Sequence, residues 1–586
     1  MYVSYPGPNQ RVCNFDGCDG TALPETQECL EHANETSFDE FIDSIRPGDS
    51  IAFRGTQIHA DRFHRILSAL RDERGEIKLG DASFQKSVFL GHISFDTASI
   101  QGNCTFSGVT FTKTASFSRI HFSERAIFLG TEFNAPAKFA KITFDKIAFF
   151  RGAVFHDAVI FTEIDMQEGV KFAGARFVKT ARFTEATFQG RASFKQCQFE
   201  NATFESCRFK SGLSFSESET TGSFKISAAY VTGSLNASQA KFRADCQFGP
   251  VLSTHEINAT DSLWEGRTTL SIAAPRMDLS WSRFNDSLRV NARHATLTCE
   301  GTRFDTSSIL AGAFELRFSN STGSGVLDEQ QIPEGSIRDL PSISTFRGAD
   351  LSNLTLVDID LSKCYFIESH NLDKVIMDGD VRFASTPPKR ITWKNPIQSR
   401  FWTTRKVVVE EQHWRANTDE SRDWPMPRRS PSARKPMTAE SVANVYRSLR
   451  RSQEESKNQP GAADFYYGEM EMRRHAKNLP VSERLIISLY WAISGYGLRA
   501  SRSILSLVLL TFTTSWLAYS FGFSKNSPTY LQTTVHYLEN LVSLRSATLQ
   551  GVQVNTFGAS LNIFLKVVGP VFLGLSVLAV RNRVRR

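Results

Sequence analysis

Phenylalanine recurs in this chain every eleven residues over more than a hundred residues. The unbroken series is Phe84, Phe95, Phe106, Phe117, Phe128, Phe139, Phe150, Phe161, Phe172, Phe183 and Phe194. A second apolar series follows each member by five residues: Phe89, Ile100, Phe111, Phe122, Phe133, Phe144, Phe155, Met166, Phe177, Phe188 and Phe199. The step alternates between five and six residues, and an alanine stands two positions before many of these residues, as at Ala115 and Ala181. A unit of the form A-x-F-x-x indicates a repeat architecture.

The repeat favours β structure over helix. An eleven-residue apolar period also fits a right-handed helical supercoil. The segments are rich in Phe, Thr, Ser and Gly, however, which are mediocre to poor helix formers. The chain has 47 Phe among 586 residues but only 8 Met, a bias that indicates a repeat rather than a mixed core. A β-rich region without regular coils is the alternative.

The motifs ARFTEATF at 181–188 and GADLSNLTLVDIDLSKCYF at 348–366 resemble the pentapeptide-repeat family. The resemblance implies a right-handed quadrilateral β-helix, in which four five-residue faces make one square coil and the central Phe or Leu points inward with the preceding Ala. The alternating step here predicts about 22 residues per coil, with one extra corner residue per half turn. Coils would stack at about 4.8 Å, the spacing of neighbouring strands.

Coil-length spacing continues beyond the regular series. Phe242, Trp264, Phe284 and Phe304 are spaced by 22, 20 and 20 residues. After a break near 325–345, pentapeptides return at Leu351, Leu356, Leu361 and Phe366. We therefore expect a mainly β fold with a solenoid over 81–376, preceded by a helical cap at 36–80.

Residues 1–35 contain the pattern C-x4-C-x10-C-x2-H, formed by Cys13, Cys18, Cys29 and His32. Three thiolates and an imidazole are the ligand set of a closed structural zinc site. The segment has little apolar content and needs such a staple to fold. We predict structural zinc here; the alternative is four unrelated residues in a flexible tail.

A basic linker is predicted at 377–437, because 381–435 holds thirteen Lys and Arg against five Asp and Glu. It is either a contact for anionic lipid headgroups or a solvated linker. A helical connector is predicted at 438–498, interrupted at NQPG (458–461) and ending in an interfacial helix at 484–498.

A two-transmembrane-helix domain is predicted at 499–586. Residues 504–523 carry no charge and 561–580 carry only Lys566, so each segment is long and apolar enough to span a bilayer. Arginines precede the first segment and follow the second, which by the positive-inside rule places both termini in the cytoplasm. The start MYVSYPGPNQ lacks an apolar signal region. We expect a two-span protein of a cell inner membrane with reduced cysteines.

The layout of this domain resembles two-transmembrane channels of the potassium-channel type. The candidate re-entrant helix is TYLQTTVHYLENLVSL (529–544). No T-V-G-Y-G follows it, so potassium selectivity is not implied. SGYG at 494–497 precedes the first span, and we interpret it as the turn into that span rather than as a filter. The pore candidates are Thr533, Thr534, Glu539 and Arg545.

The whole chain resembles bacterial pentapeptide-repeat membrane proteins. We expect a homo-oligomer that forms a channel-like pore, with the solenoid as a cytosolic gating sensor, because two spans in one chain do not enclose a water path. The alternative is a membrane-anchored scaffold that binds a protein partner on the solenoid face. We expect no enzyme, since no nucleophile motif or phosphate loop is present, and no nucleic-acid partner. DNA mimicry, known among soluble family members, needs a strongly acidic face, whereas 81–215 has sixteen Lys and Arg against twelve Asp and Glu.

Overall fold

The computed structural model describes residues 11–328, 332, 337–387, 404–418, 424, 437–525, 528–542 and 553–584. The chain divides into two compact units, which are described in turn. The first consists of Met1–His370 with Met377–Arg382, and the second of Asn371–Ile376 with Phe383–Arg586.

The first unit is a parallel β-solenoid of about 13 turns, as the repeat predicts. One coil contains four short strands within 22 residues: Ala137–Ala140, Thr143–Phe144, Ala148–Phe149 and Val154–Phe155, and the next coil begins at Val159. One side of the coils forms a 13-stranded parallel sheet with the strands Ile51–Ala52, Ala82–Ser83, Cys104–Thr105, Ala126–Ile127, Ala148–Phe149, Val170–Lys171, Ala192–Ser193, Leu213–Ser214, Leu235–Asn236, Glu256–Asn258, Arg276–Asp278, Thr296–Thr298 and Ser342–Thr345.

The other sides form a 29-stranded sheet. Its strands are Gln57–His59, Ile77–Leu79, Val88–Leu90, Ile93–Ile100, Thr110–Phe111, Ala115–Phe122, Glu132–Phe133, Ala137–Ala140, Thr143–Phe144, Val154–Phe155, Val159–Thr162, Asp165–Met166, Arg176–Thr184, Thr187–Phe188, Gln198–Glu205, Arg208–Phe209, Glu219–Thr220, Phe224–Ser227, Ala229–Val231, Lys241–Phe242, Cys246–Ser253, Leu263–Trp264, Thr268–Ala273, Arg283–Phe284, Leu288–Arg293, Arg303–Phe304, Ser308–Gly312, Leu354–Val357 and Ile376–Asp378. Long strands such as Gln198–Glu205 turn a corner of the coil.

The register of neighbouring coils stacks identical positions. Phe133 pairs with Phe155 and Ala126 with Ala148, each 22 residues on. The phenylalanine rings and alanine methyl groups point inward and are buried. Stacked rings of successive coils lie 4.6 to 5.1 Å apart between Phe117 and Phe199, so the core is a set of continuous aromatic columns.

A left-handed residue marks the corners. It stands two positions after each phenylalanine of the eleven-residue series, at Lys86, Thr97, Gly108, Arg119, Gly130, Lys141, Gly152, Glu163, Gly174, Glu185 and Gln196. At Gly108 (φ 65°) the chain makes a tight turn in which the amide of Val109 donates to the carbonyl of Phe106. A positive φ at the third residue is the requirement of a type II turn, which explains why glycine is frequent there.

The later coils shorten and then accept an insertion. Glu256, Arg276 and Thr296 pair in succession at 20-residue steps. The ladder then passes from Leu297 directly to Ile343. The intervening chain forms the hairpin Arg317–Asn320 and Gly323–Val326, and its flanks place Leu316, Leu327 and Ile332 over Ala228, Leu252 and Ala273. This is a second, smaller core on the outer surface of the solenoid.

The N-terminal end of the solenoid is closed by two helices, α1 (Glu35–Ser44) and α2 (Ala60–Ala69). Phe63 of α2 lies against the rings of Phe84, Phe89 and Phe95, with centroid distances of 5.8, 5.0 and 5.0 Å. The strands of the first coil, from Ile51, already belong to the segment that we predicted as a helical cap. That segment thus supplies a coil as well as a cover for it.

The second unit is helical. Its helices are α3 (Val409–Ala416), α4 (Ala439–Glu455), α5 (Gln459–His475), α6 (Val481–Ser494), α7 (Ala500–Phe521), α8 (Tyr530–Val542) and α9 (Thr556–Val584). A 3-10 helix, Leu372–Lys374, and two antiparallel strand pairs accompany them: Ala384–Ser385 with Lys406–Val407, and Phe523–Lys525 with Gln553–Val554. Thr438 and Ser441 form a capping box at the start of α4, and Asn458 caps α5 at the predicted NQPG break.

Candidate functional site

Cys13, Cys18, Cys29 and His32 come together at the N-terminus, as their spacing predicts. The pairing of Val12 with Thr21 and of Ala22 with Cys29 folds this segment onto itself. The four ligand atoms all lie within 4.8 Å of one another. Sγ of Cys18 lies 3.7 Å from Sγ of Cys29, and Nδ1 of His32 lies 3.4 Å from Sγ of both Cys13 and Cys29.

These distances match the edges of a metal tetrahedron. Zinc–sulfur and zinc–nitrogen bonds of about 2.3 and 2.0–2.1 Å place two sulfurs about 3.7 Å apart and a sulfur and a nitrogen about 3.5 Å apart. A disulfide would bring two sulfurs to about 2.05 Å, so Cys18 and Cys29 are not bonded to each other. The cluster could hold a metal ion, with four protein ligands that close the coordination shell.

Backbone amides donate to two of the cluster's sulfur atoms. The amide of Cys29 donates to Sγ of Cys13 at 3.3 Å, and the amide of Gly20 donates to Sγ of Cys18 at 3.4 Å. Burial opposes ionisation of Cys13, but the amides of Phe15 and Cys29 outweigh it and lower the pKa of this thiol to about 7. Burial raises the pKa of Cys29 to about 12, a cost that a bound cation would offset.

Two helices are long and apolar enough to cross a membrane, α7 over Ala500–Phe521 and α9 over Thr556–Arg581. In the most apolar 18-residue stretch of each helix, only 22% of the residues are buried inside the structure. A core helix of a soluble protein would be mostly buried, so the exposure of these two helices supports a membrane-associated repeat protein.

The short helix α8 packs into the groove between α7 and α9. At its start, Tyr530 lies 5.8 Å from Tyr519 near the end of α7. One turn before its end, the hydroxyl of Tyr537 donates to the carbonyl of Gly558. At its end, Leu541 lies so close to Gly569 that a methyl group on this glycine would be 3.2 Å from Cγ of Leu541.

This packing determines how far α8 extends along α9. Its 13 residues extend about 20 Å. The helix begins beside the loop ends of α7 and α9 and ends beside Gly569, which is the middle of the candidate span Thr556–Arg581. The chain is back at the loop end at Gln553, which pairs with Lys525. Among the described residues, α8 therefore lies alongside the first half of α9, between the loop end and the middle of the candidate span.

The buried face of α8 is polar. Nδ2 of Asn540 lies 3.0 Å from Nε2 of His536 and 3.3 Å from Oδ1 of Asn562 in α9. Oδ1 of Asn540 is buried and accepts no hydrogen bond from any described residue. These three residues are not singled out in the sequence analysis. The spacing of four between His536 and Asn540 is visible in the sequence, but their partner Asn562 lies in another helix.

The predicted pore residues fall on different faces of α8. Thr533 is buried, and its hydroxyl donates to the carbonyl of Thr529. Thr534 donates to the carbonyl of Tyr530 and is half-buried, while Glu539 is exposed. Arg545 lies outside the described residues. Only Thr533 therefore shares the buried face with Asn540.

A buried network of charges joins the helices of the second unit. Arg405 donates to both oxygens of Glu411 at 2.6 and 2.7 Å, and Arg415 donates to Glu411 at 2.8 Å. Burial opposes the charge of Glu411, but Arg405 and Arg415 outweigh it and lower the pKa of this carboxyl to about 2. The hydroxyl of Tyr446 in α4 donates to the same carboxylate at 2.5 Å. These residues lie in or beside the segment predicted as a basic linker, and nothing in the sequence set them apart.

The network extends to the turn before the first span. Arg415 and Arg474 both donate to Glu471 of α5, at 3.3 and 2.7 Å. Tyr496, in the SGYG segment, is buried and donates to Glu471 at 3.0 Å. Gly495, Tyr496 and Gly497 all have positive φ. SGYG thus forms the turn between α6 and α7, as the sequence analysis interprets it, and the buried tyrosine anchors that turn.

Comparison with known proteins identifies the repeats. Residues 78–121 and 172–219 match the family model described as pentapeptide repeats (9 copies). No curated protein and no solved structure matches the chain. The match confirms the repeat type for two parts of the solenoid. The residues between these parts pair with their neighbours in the same strand register and therefore form the same kind of coil.

Proposed function

Since the chain carries a pentapeptide-repeat solenoid together with two helices long and apolar enough to cross a membrane, we propose that it forms an oligomeric membrane pore. In this proposal α8 is the re-entrant helix that lines the pore, and the solenoid is a sensor that gates it. The solenoid is continuous in sequence with the helical unit, so a ligand on its outer surface could act on the pore within one chain.

Several copies are needed because α7, α8 and α9 of one chain do not surround a water path. Both spans expose large apolar side chains along their length, among them Leu509, Phe512 and Trp516 in α7 and Ile563, Val567 and Val571 in α9. Lipid or a neighbouring copy covers such a surface in a membrane. The protein is therefore a homo-oligomer in this proposal.

The observation that carries the proposal is a set of polar side chains between α8 and α9, alongside the first half of a candidate span. Asn540 is buried between α8 and α9 beside His536 and Asn562, and an unsatisfied polar group in hydrocarbon costs several kcal/mol. In the proposed pore, water that enters between α8 and α9 would donate a hydrogen bond to Oδ1 of Asn540, which accepts none from the described residues. Asn562 and Lys566 stand one turn apart on the same face of α9 and are both half-buried. Polar and charged residues inside spans usually mark an ion pathway.

The pore would lie in a cell inner membrane with both termini in the cytoplasm. Arg499 and Arg502 stand at the start of α7, and Arg581 stands at the end of the second span. Positive residues next to spans remain on the cytoplasmic side. The solenoid and the Cys3His cluster would then face a reducing compartment.

Ion flux into liposomes that contain the purified full chain tests the proposal. We expect flux from the wild type and a changed ion preference in Lys566→Gln, because this substitution removes a charge at mid-membrane depth. Lys457→Gln is the matched control, since Lys457 is exposed in the turn between α4 and α5. Absence of flux at any voltage from correctly inserted oligomers would contradict the pore, and a monomer in detergent would favour a membrane-anchored scaffold that binds a protein partner.

We propose that the Cys3His cluster holds a structural zinc ion. The set of four protein donors and the sulfur–sulfur and sulfur–nitrogen distances of 3.7 and 3.4 Å support zinc in a structural rather than a catalytic role. Metal analysis of the purified chain is expected to give one zinc per chain. A preparation that folds fully without metal would contradict this assignment.

A further inference from the structure

A groove of about 310 Å³ lies where α6 meets α7. It is lined by Trp491, Ala492, Arg502, Leu505, Ser506 and Leu509. The hydroxyl of Ser506 donates to the carbonyl of Ile493 at 2.9 Å, which holds the end of α6 against the first turns of α7. The groove is therefore part of the fold of the second unit and lies at the point where the first span begins.

The charged end of the groove contains a cation without a counter-charge. The guanidinium of Arg502 is half-buried and lies 5.2 Å from the ring centroid of Trp491. Within the described part of the chain it forms no hydrogen bond and no ion pair through its side chain. Arg474 lies 4.6 Å from the same indole, and its Nε is buried without an acceptor among the described residues. Arg474 is already paired with Glu471 at 2.7 Å, so Arg502 is the guanidinium of this pair that lacks an anion among the described residues.

The other end of the groove is apolar. Leu505 and Leu509 are exposed by 58% and 57% on the surface of a candidate membrane span. The adjacent helix α6 exposes a row of apolar side chains at helical spacing, Val481, Leu485, Ile486 and Leu489. Such a helix lies in the membrane interface. A ligand that fits the groove has an anionic group beside Arg502 and a hydrocarbon chain beside Leu505.

We propose that this groove binds one anionic phospholipid, with the phosphate on Arg502 and an acyl chain along Leu505 and Leu509. Arginine suits this role because its planar donors match phosphate oxygens in pairs. Negatively charged lipid is concentrated at the cytoplasmic surface, where the arginines of this turn are placed by the proposed function. The inference rests on α7 crossing a membrane, which is part of that proposal, but not on the passage of ions.

The bound lipid would act on the turn between α6 and α7. Arg474 also donates to Glu471, which accepts the hydrogen bond from the buried Tyr496. A phosphate on Arg502 would thus be separated only by the indole of Trp491 from the arginine that joins this charge network to the turn. Lipid composition would then influence the contacts that anchor the turn between α6 and α7.

The test is lipid retention by the full chain in detergent, measured by native mass spectrometry after addition of phosphatidylglycerol or phosphatidylcholine. We expect the wild type to retain phosphatidylglycerol preferentially and Arg502→Gln to bind it roughly tenfold more weakly. Arg502→Lys keeps the charge and is expected to retain part of the affinity, and Arg451→Gln, at an exposed site on α4, is expected to match the wild type.

Inorganic phosphate distinguishes a free-anion site from a lipid site. We expect that phosphate at the same concentration does not displace the lipid, because it lacks the chain that contacts Leu505 and Leu509. Displacement by phosphate alone would overturn the lipid assignment. Equal retention of both lipids by the wild type, or unchanged retention by a folded Arg502→Gln variant, would overturn the site itself. Ion flux without lipid preference would leave the pore proposal standing and refute only this inference.

Discussion

The rings of Phe139 and Phe161 lie 4.7 Å apart and are 11° from parallel. The two residues are 22 positions apart and are directly paired in the sheet. Phe139 also meets Phe150 edge-on at 5.7 Å. Each such ring thus stacks on the equivalent ring of the coil above and of the coil below, and it contacts a ring of a second column edge-on. Only the rings of the first and last coils of a column lack a stacking partner on one side.

We predict that Phe139→Ala destabilises the solenoid by about 3–5 kcal/mol, because it opens a cavity in the middle of a column. Lys138→Ala, at the exposed neighbour on the same strand, should cost no more than about 0.5 kcal/mol. Denaturant unfolding followed by circular dichroism measures both. A loss below about 1 kcal/mol for Phe139→Ala would mean that neighbouring coils close the gap.

We predict that Glu411→Gln destabilises the helical unit by about 3–5 kcal/mol at neutral pH, because it leaves Arg405 and Arg415 buried without their counter-charge. Glu454→Gln is the matched control, since Glu454 forms a surface pair with Arg450 and should cost about 0.5 kcal/mol or less. Thermal unfolding of the two variants beside the wild type makes the comparison, and equal effects would contradict a structural role for the cluster.

The same carboxylate predicts a pH dependence. The pKa of Glu411 is about 2 in the folded chain against an ordinary value of 4.5. Its contribution to stability is therefore complete above pH 4.5 and is lost as the pH falls from there towards 2. Unfolding midpoints measured across this range should fall less steeply in Glu411→Gln than in the wild type. Parallel curves would show that other groups determine the acid response.

We predict that Gly569→Leu displaces α8 from the hairpin, because its side chain would occupy the place of Leu541. Gly574→Leu is the control, since a side chain there meets open space. A thiol introduced as Leu541→Cys should react slowly with a water-soluble maleimide, and faster when combined with Gly569→Leu. The wild type gives the background labelling of Cys13, whose pKa is about 7, whereas Cys197 and Cys207 should not react, because burial raises their pKa to about 12. Fast labelling of the single variant Leu541→Cys would contradict the burial of this position against Gly569.

We predict that Cys29→Ser removes bound zinc and exposes residues 11–33 to proteolysis, since this small segment has little core of its own. Cys197→Ser changes a buried solenoid thiol and should leave zinc content unchanged. Metal analysis and limited proteolysis with and without a chelator check both statements. Full zinc retention by Cys29→Ser would disprove the ligand assignment.

The sequence predicted the parts of the molecule that repeat locally and missed those that depend on distant partners. The coil length follows from Phe139 and its equivalents, because the residue that stacks on each ring is always one coil away. The Cys3His spacing likewise indicated its own cluster. No sequence pattern distinguishes Glu411 or Glu471 from an exposed surface charge. Their burial follows only from the packing of α3, α4 and α5, which brings together residues 60 positions apart. The position of α8 depends on contacts between helices, such as that between Leu541 and Gly569, that no periodicity encodes.

The register is uniform between Ala126 and Ala192, so the length of the solenoid is set by its number of coils. Each coil adds one strand spacing, about 4.8 Å, so thirteen coils give a length of about 58 Å that can change only in whole steps. Removal of residues 126–147 as one block would shorten it by a single step and leave the N-terminal cluster and the last coil intact. Evolution can therefore adjust how far apart the two ends stand without redesigning either of them.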